Sequence, residues 1–188
     1  MIELVDELVQ SAETKMQGAI EHLKRELATV RTGRASPNLL DRITVDYFGV
    51  PTPINAMANV SAPEPRLLVI APWDKHSIGP IEKAILKSDI GINPNNDGKV
   101  IRLSIPQLTE ERRREMTKIV KKRTEEGRVS LRNVRRDVLE ELKKSEKEKL
   151  LTEDDVKRGQ ERLQKLTDIY ITRAEETGSI KEQEIMEF

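Results

Sequence analysis

The stretch RTEEGRVSLRNVRRD, residues 123–137, sets five arginines in fifteen positions of a chain whose 33 basic and 33 acidic residues cancel. Around it Met116, Ile119, Val120, Leu131, Val134, Val138 and Leu142 recur at three- and four-residue steps. That spacing predicts an amphipathic helix buried along one seam. The helix begins after Pro106, with Thr109 as N-cap and Glu110 and Glu111 complementing its positive end. Running from about residue 109 to the middle 140s, it is on the order of 50 Å long. Gly127 is its one weak position, costing roughly 1 kcal/mol of helix propensity relative to alanine.

Two more helices are expected on either side. Leu8, Ala12, Met16, Ile20, Leu23, Leu27 and Val30 form a seam that ends near Arg31, Thr32 and Gly33, where glycine and then Ser36-Pro37 interrupt it. The last helix opens at Thr152-Glu153-Asp154-Asp155, an [ST]-x-x-[DE] start, and continues through Val156, Leu163, Leu166, Ile169, Arg173, Ile180 and Ile185. Each stripe can be buried only against the others, which predicts an elongated three-helix bundle from residues 1–31 and 108–188.

Residues 32–107 follow a different pattern. Seven of the nine prolines fall between Pro51 and Pro94, and the apolar runs shorten to strand length: ITVDYF (43–48), LLVIA (67–71) and VIRLSI (100–105). Gly49 and the segment Pro51-Thr52-Pro53 suggest a turn. PIEKAILKS (80–88) reads as a short helix and NPNNDG (93–98) as a turn. The fold class is therefore α+β, with a small α/β domain inserted into the bundle and joined by two crossings, near residues 32–37 and 105–108. Short double linkers with Gly and Pro suit a hinge.

Charge is segregated along the chain. Residues 112–136 carry 11 basic against 3 acidic residues, whereas residues 137–188 carry 10 against 15. Such asymmetry points to a polyanionic partner. At 100° per residue, Arg128, Arg132, Arg135 and Arg136 fall within about a quadrant, with Arg114, Lys118 and Lys121 on the same side and the apolar seam well over 90° away. Arginine's planar fork suits phosphate and stays charged at any physiological pH. The bland alternative is a solvated face balanced by acidic neighbours. Few aromatics accompany the stripe, so recognition of folded RNA by backbone and shape fits better than base stacking.

Other chemistries find little footing. There is no cysteine, so disulfides and thiolate chemistry are excluded. No apolar run approaches membrane-spanning length, and residues 1–4 begin an acidic amphipathic stretch unlike a targeting signal; a soluble, cytosolic protein is expected. His22 and His76 lack a nucleophile pattern and read as surface residues. Asp97-Gly98-Lys99 lacks the spacing of a phosphate loop and reads as a turn. Glu153-Asp154-Asp155 suits a helix start better than a cation site. Trp73 is expected to pack within the small domain.

Four segments carry a resemblance to a known family: RTGRASPNLLD (31–41), YFGVPTPI (47–54), LTEERRREMTKIVKKRTEEGRVSLRNVRRD (108–137) and KLTDIYI (165–171). They resemble the ribosome recycling factor (ribosome-releasing factor) family of bacterial type, in order and over essentially the whole chain. The resemblance implies a three-helix bundle and a β/α/β domain on a flexible double hinge, L-shaped and similar to tRNA. It implies a monomeric, cytoplasmic translation factor, not an enzyme, without cofactor or metal. Its partners would be the 70S ribosome, bound through large-subunit rRNA, and elongation factor G with GTP, which together split the post-termination ribosome. Carried onto this chain, Arg132 and Arg135 match the most direct rRNA contacts, with Arg128, Arg136 and Arg31 supporting. Thr32, Gly33, Ala35, Ser36, Ile105, Pro106 and Gln107 match the hinge. A structural helical-bundle adaptor for an acidic protein partner is the rival reading. A nucleotide hydrolase would need turnover of its own.

Overall fold

The computed structural model describes residues 2–187; Met1, and Phe188 among the aromatics, lie outside the described residues. In chain order the elements are α1 (Ile2–Ala28), β1 (Thr44–Tyr47), β2 (Val50–Pro53), β3 (Ala58–Glu64), β4 (Leu67–Pro72), α2 (Ile78–Lys87), β5 (Pro94–Asn96), β6 (Ile101–Ser104), α3 (Glu110–Lys147) and α4 (Glu153–Glu187). They form two compact units, residues 2–31 with 111–187, and residues 32–110. The long helices with a small sheet unit are the α+β architecture the periodicities predict.

In the first unit α1, α3 and α4 bury one face each. Leu23 of α1 lies against Gly127 of α3, and Val5 against Leu142 of α3 and Gly159 of α4. The three seams close on one another, and the packing of such buried faces supplies most of the stability of helices in a protein. Helix α1 ends at Ala28, short of the expected residue 31. The Thr29 hydroxyl donates to the Glu26 carbonyl at 2.7 Å and the Val30 N–H to the Leu27 carbonyl at 3.1 Å, so the last turn tightens and stops.

The turn between α3 and α4 is closed from both sides. Lys149 takes φ of +60° while its N–H donates to the Glu146 carbonyl and the Leu150 N–H to the Ser145 carbonyl, a Schellman arrangement. Thr152 and Asp155 then form the expected capping box. The Thr152 N–H and hydroxyl donate to Asp155 Oδ2 at 3.1 and 2.7 Å, and the Asp155 N–H donates back to Thr152 Oγ1 at 3.2 Å. These bonds from Thr152, aided by Arg158, hold the buried Asp155 carboxyl below its ordinary pKa.

Hydrophobicity alone misassigned parts of the seams. Ile119, Ile169 and Ile180 are exposed, Ile180 by 59%. Thr124, Gly159, Thr167, Tyr170, Ala174 and Gly178 are buried in their stead. Small residues occupy these lines because the helices approach closely there. A Cβ at Gly178 would run into Thr124 Oγ1, one at Gly159 would sit 3.1 Å from the Leu142 methyls, and one at Gly127 3.2 Å from a Leu23 methyl. The mid-helix glycine thus has a packing reason.

The second unit has two antiparallel sheets, the hairpin β1–β2 and a four-stranded sheet in the order β3-β4-β6-β5. Helix α2 buries Ile78, Ile81 and Ile85 in a core with Leu68 and Ile70 of β4, Ile101 and Leu103 of β6, and Val45 of β1. The run 51–53, expected as a turn, is strand β2. The turn is instead Phe48-Gly49, both at positive φ, the two-residue type that matches strand twist. With Tyr47 paired to Val50, strand alternation puts Pro51 and Pro53 at non-hydrogen-bonded pairs, where a missing N–H costs nothing. Strands β3 and β5 are edges; Pro63 lies where the β3 register shifts and Pro94 opens β5. Trp73 is 65% exposed rather than packed. It ends the sheet, with its N–H bonded to the Met57 carbonyl, and its ring points away from the core. Asp97 makes the expected turn, accepting from the N–H groups of Lys99 and Val100, both at 2.9 Å, and from Arg102. Those bonds, Val100 foremost, hold its carboxyl well below the carboxylate range.

Gly178→Ala is expected to lower stability by about 1–3 kcal/mol through overpacking, with Thr124→Ala restoring most of it in a double-mutant cycle read by denaturant melts. Gly18→Ala is expected to do the reverse, by up to about 1 kcal/mol, because a Cβ there meets nothing within 4 Å. Asp155 contributes stability above its unfolded pKa near 4 that is lost as pH falls through its lower folded value. Asp155→Ala should therefore be less stable at pH 7 and lose less on acidification to pH 3 than the parent chain, compared by thermal melts.

Candidate nucleic-acid interface

The arginine stripe is a consequence of where α3 is buried. With Met116, Val120, Thr124, Leu131, Val138 and Leu142 turned inward, the residues roughly 110° around the helix face outward. There Arg132 and Arg136 are exposed and Arg128 and Arg135 half-buried, with Lys118 and Lys121 further toward the N-terminus. The helix brings these side chains together. Arg31 is exposed three residues beyond the end of α1, on a different segment.

The guanidinium groups are held in place by neighbours of both helices. Arg135 donates to Gln164 Oε1 of α4 at 2.8 Å, and Gln164 in turn donates to Asp168. Arg128 lies 3.7 Å from Glu175 of α4 and 3.4 Å from Glu125, its Nε buried without a partner. Arg132 reaches Glu125 at 3.6 Å, and Arg136 donates to Asn133 Oδ1 at 3.1 Å. Exposed pairs of this kind contribute at most about 1 kcal/mol each to stability. What the links to α4 do is restrict the rotamers of Arg128 and Arg135, which lowers the entropy those two lose when a phosphate is bound. Glu125 was legible as an acid three and seven residues before two arginines. Gln164 and Glu175 were not, because they come from a helix about thirty and more residues away.

The candidate linker residues divide. The Ala35 N–H donates to the Pro65 carbonyl at 2.6 Å and the Ile105 N–H to the Arg66 carbonyl at 2.8 Å, both on the β3–β4 turn. Ser36 caps a 3-10 turn over Pro37–Leu40, accepting from the Asn38 N–H. Thr32 is buried and Gly33 has φ of +79°. Pro106 and Gln107 are exposed and lie outside regular structure.

His22 and His76 are exposed. No group of three or more His, Asp or Glu could hold a metal ion, and no helix is long and apolar enough to cross a membrane, among the described residues.

Arg132→Ala and Arg136→Ala are expected to shift unfolding free energy by less than about 0.5 kcal/mol, whereas Arg128→Ala, which severs the link to α4, should cost about 1 kcal/mol. Denaturant melts distinguish them; a large loss for Arg132→Ala would mark it as a structural strut.

Comparison with known proteins bears on the family and the fold. The family model described as "Ribosome recycling factor" matches residues 23–186. The ribosome-recycling factor of Natranaerobius thermophilus is 56% identical over 98% of this chain and 100% of its own length. That of Bacillus cytotoxicus is 56% identical over 96% of this chain and 98% of its own. A solution structure of the ribosome recycling factor matches with TM-score 0.78 and 43% identity, covering 100% of both chains. The T. thermophilus ribosome recycling factor, in models with E. coli elongation factor G bound to the E. coli post-termination complex, matches with TM-score 0.64 and 46% identity over 96% of this chain and 98% of that one. With the inserted sheet unit, the arginine-bearing α3 and all but the last residue of α4 inside the matched region, the chain belongs to the ribosome recycling factor family.

Proposed function

We propose that this chain binds the post-termination ribosome through large-subunit rRNA and, with elongation factor G and GTP, separates the ribosome into subunits. The observation that carries the reading is a basic stripe on the solvent side of α3 in a member of this family. A related factor stands with elongation factor G on the post-termination complex. Arg132 and Arg135 are the principal phosphate contacts, with Arg128, Arg136 and Arg31 in support. Neutralising phosphates releases condensed counterions and makes binding salt-dependent.

The inserted unit is the part on which elongation factor G acts. In this reading the double hinge bends at Thr32, Gly33, Pro106 and Gln107, while Ala35 and Ile105 move with the sheet to which their hydrogen bonds tie them and Ser36 with the 3-10 turn it caps. GTP turnover belongs to the partner factor. The chain itself anchors and transmits motion without making or breaking bonds, and it works in the cytoplasm, where its target is.

Cosedimentation with large ribosomal subunits across a salt series tests the anchor. Arg132→Ala is expected to weaken binding by about tenfold or more, as for loss of a charge-assisted hydrogen bond, and to reduce the salt slope by about one. Subunit splitting with elongation factor G and GTP should fall in parallel. Unchanged affinity removes the stripe from the mechanism and favours a protein partner for the basic face.

A further inference from the structure

One acid sits within the basic stripe. Glu125 lies three residues before Arg128 and seven before Arg132, so all three share one face of α3. Its carboxylate bridges the two guanidinium groups, Oε2 at 3.4 Å from Arg128 and Oε1 at 3.6 Å from Arg132. These separations are looser than the 2.7–2.9 Å of a tight charge-assisted bond, and the Glu125 side chain is 53% exposed. The carboxylate therefore occupies a site fit for an anion, yet is free to swing out of it.

We propose that Glu125 is a specificity-determining guard, an internal anion that screens Arg128 and Arg132 from generic polyanions and yields to an RNA surface offering phosphates to both arginines at once. The inference rests on the reading of the α3 stripe as an RNA contact. A ligand that engages one guanidinium leaves the carboxylate on the other, and its phosphate then faces a like charge. A folded RNA that engages both expels the carboxylate into water, where its exposure lets it be solvated. Discrimination thus arises from a repulsive element aimed at the wrong partners as much as from attraction to the right one. Arg128 keeps Glu175 at 3.7 Å when Glu125 leaves, so it stays positioned, while Arg132 becomes available.

The test uses the full chain with two probes, purified large ribosomal subunits and an RNA duplex of arbitrary sequence, each titrated over a range of salt. Glu125→Gln is expected to bind the arbitrary duplex about three- to fivefold more tightly at low salt, the size of an exposed ion pair. Its affinity for large subunits should change less than about twofold, so that the ratio of the two falls. Glu125→Asp retains the charge and should keep most of the parent's selectivity. Unchanged or weakened duplex binding by Glu125→Gln, or an equal gain for both probes, overturns the proposal. So does a loss of selectivity in Glu125→Asp as large as in Glu125→Gln. Failure of the underlying reading looks different: Arg132→Ala would then bind large subunits as the parent does, whatever the residue at position 125. Melting curves of the exposed-site variants check that the fold is retained.

Discussion

The bundle depends on α3 being held along a narrow line by side chains small enough to let its neighbours close. Thr124 meets Gly178, Leu142 meets Gly159, and Gly127 receives Leu23. Most of the stability of a helix in a protein comes from packing of its buried face, so those contacts hold α3 in place. They also decide its rotation about its own axis. Because Cβ directions on a helix are fixed in angle relative to one another, burying Val120, Leu131 and Val138 fixes the face of α3 from which Arg132 and Arg136 project. Core packing and the presentation of charge are the same geometric fact.

The inserted unit solves a different problem. It is rich in proline, which cannot donate to a ladder, and places most of its strand prolines on edges or at an irregularity: Pro51 and Pro53 in the hairpin, Pro63 at the register shift and Pro94 at the start of β5. Edges so built resist pairing with other chains. The central strands β4 and β6, with β4 paired on both sides along Leu67–Ile70 and its proline kept to the end at Pro72, hold Leu68, Ile70, Ile101 and Leu103 at full burial. The carbonyls of the turn between β3 and β4 then accept from Ala35 and Ile105, so both chain crossings are tied to the same corner of the sheet.

Legibility followed from which force dominates locally. Strands β4 and β6 and helix α2 were readable because burial demands apolar residues there. Strands β2, β3 and β5 were not, because an edge strand can be polar and proline-bearing and still pair on one side. Along the helices the approximate register was readable, yet Ile119, Ile169 and Ile180 drew the seam toward themselves while Gly178, Gly159 and Thr124 hold it. Hydrophobicity reports what water rejects; close helix approach selects for size, and glycine carries no hydrophobic signal. The angular position of the stripe was readable, since four arginines within about 100° of one helix need only the angle per residue; the half-burial of Arg128 and Arg135 was not. Its partners on α4 required the fold.

Those partners change how the stripe works. Arg135 and Arg128 are anchored across to α4 by Gln164 and Glu175, whereas among the described residues the polar partners of Arg132 and Arg136 are Glu125 and Asn133 of their own helix. The stripe thus has a fixed side next to α4 and an adjustable side away from it. A fixed guanidinium costs little entropy on binding but must match its target in position; an adjustable one tolerates misfit at greater entropic cost. Combining them on one rigid rod lets the anchored pair set the register on an irregular RNA surface while the free pair follows its local shape. The acid-rich α4 makes this arrangement possible. Its Glu175 and Gln164 order the inner arginines, while the outer arginines, Arg132 and Arg136, still face water as cations.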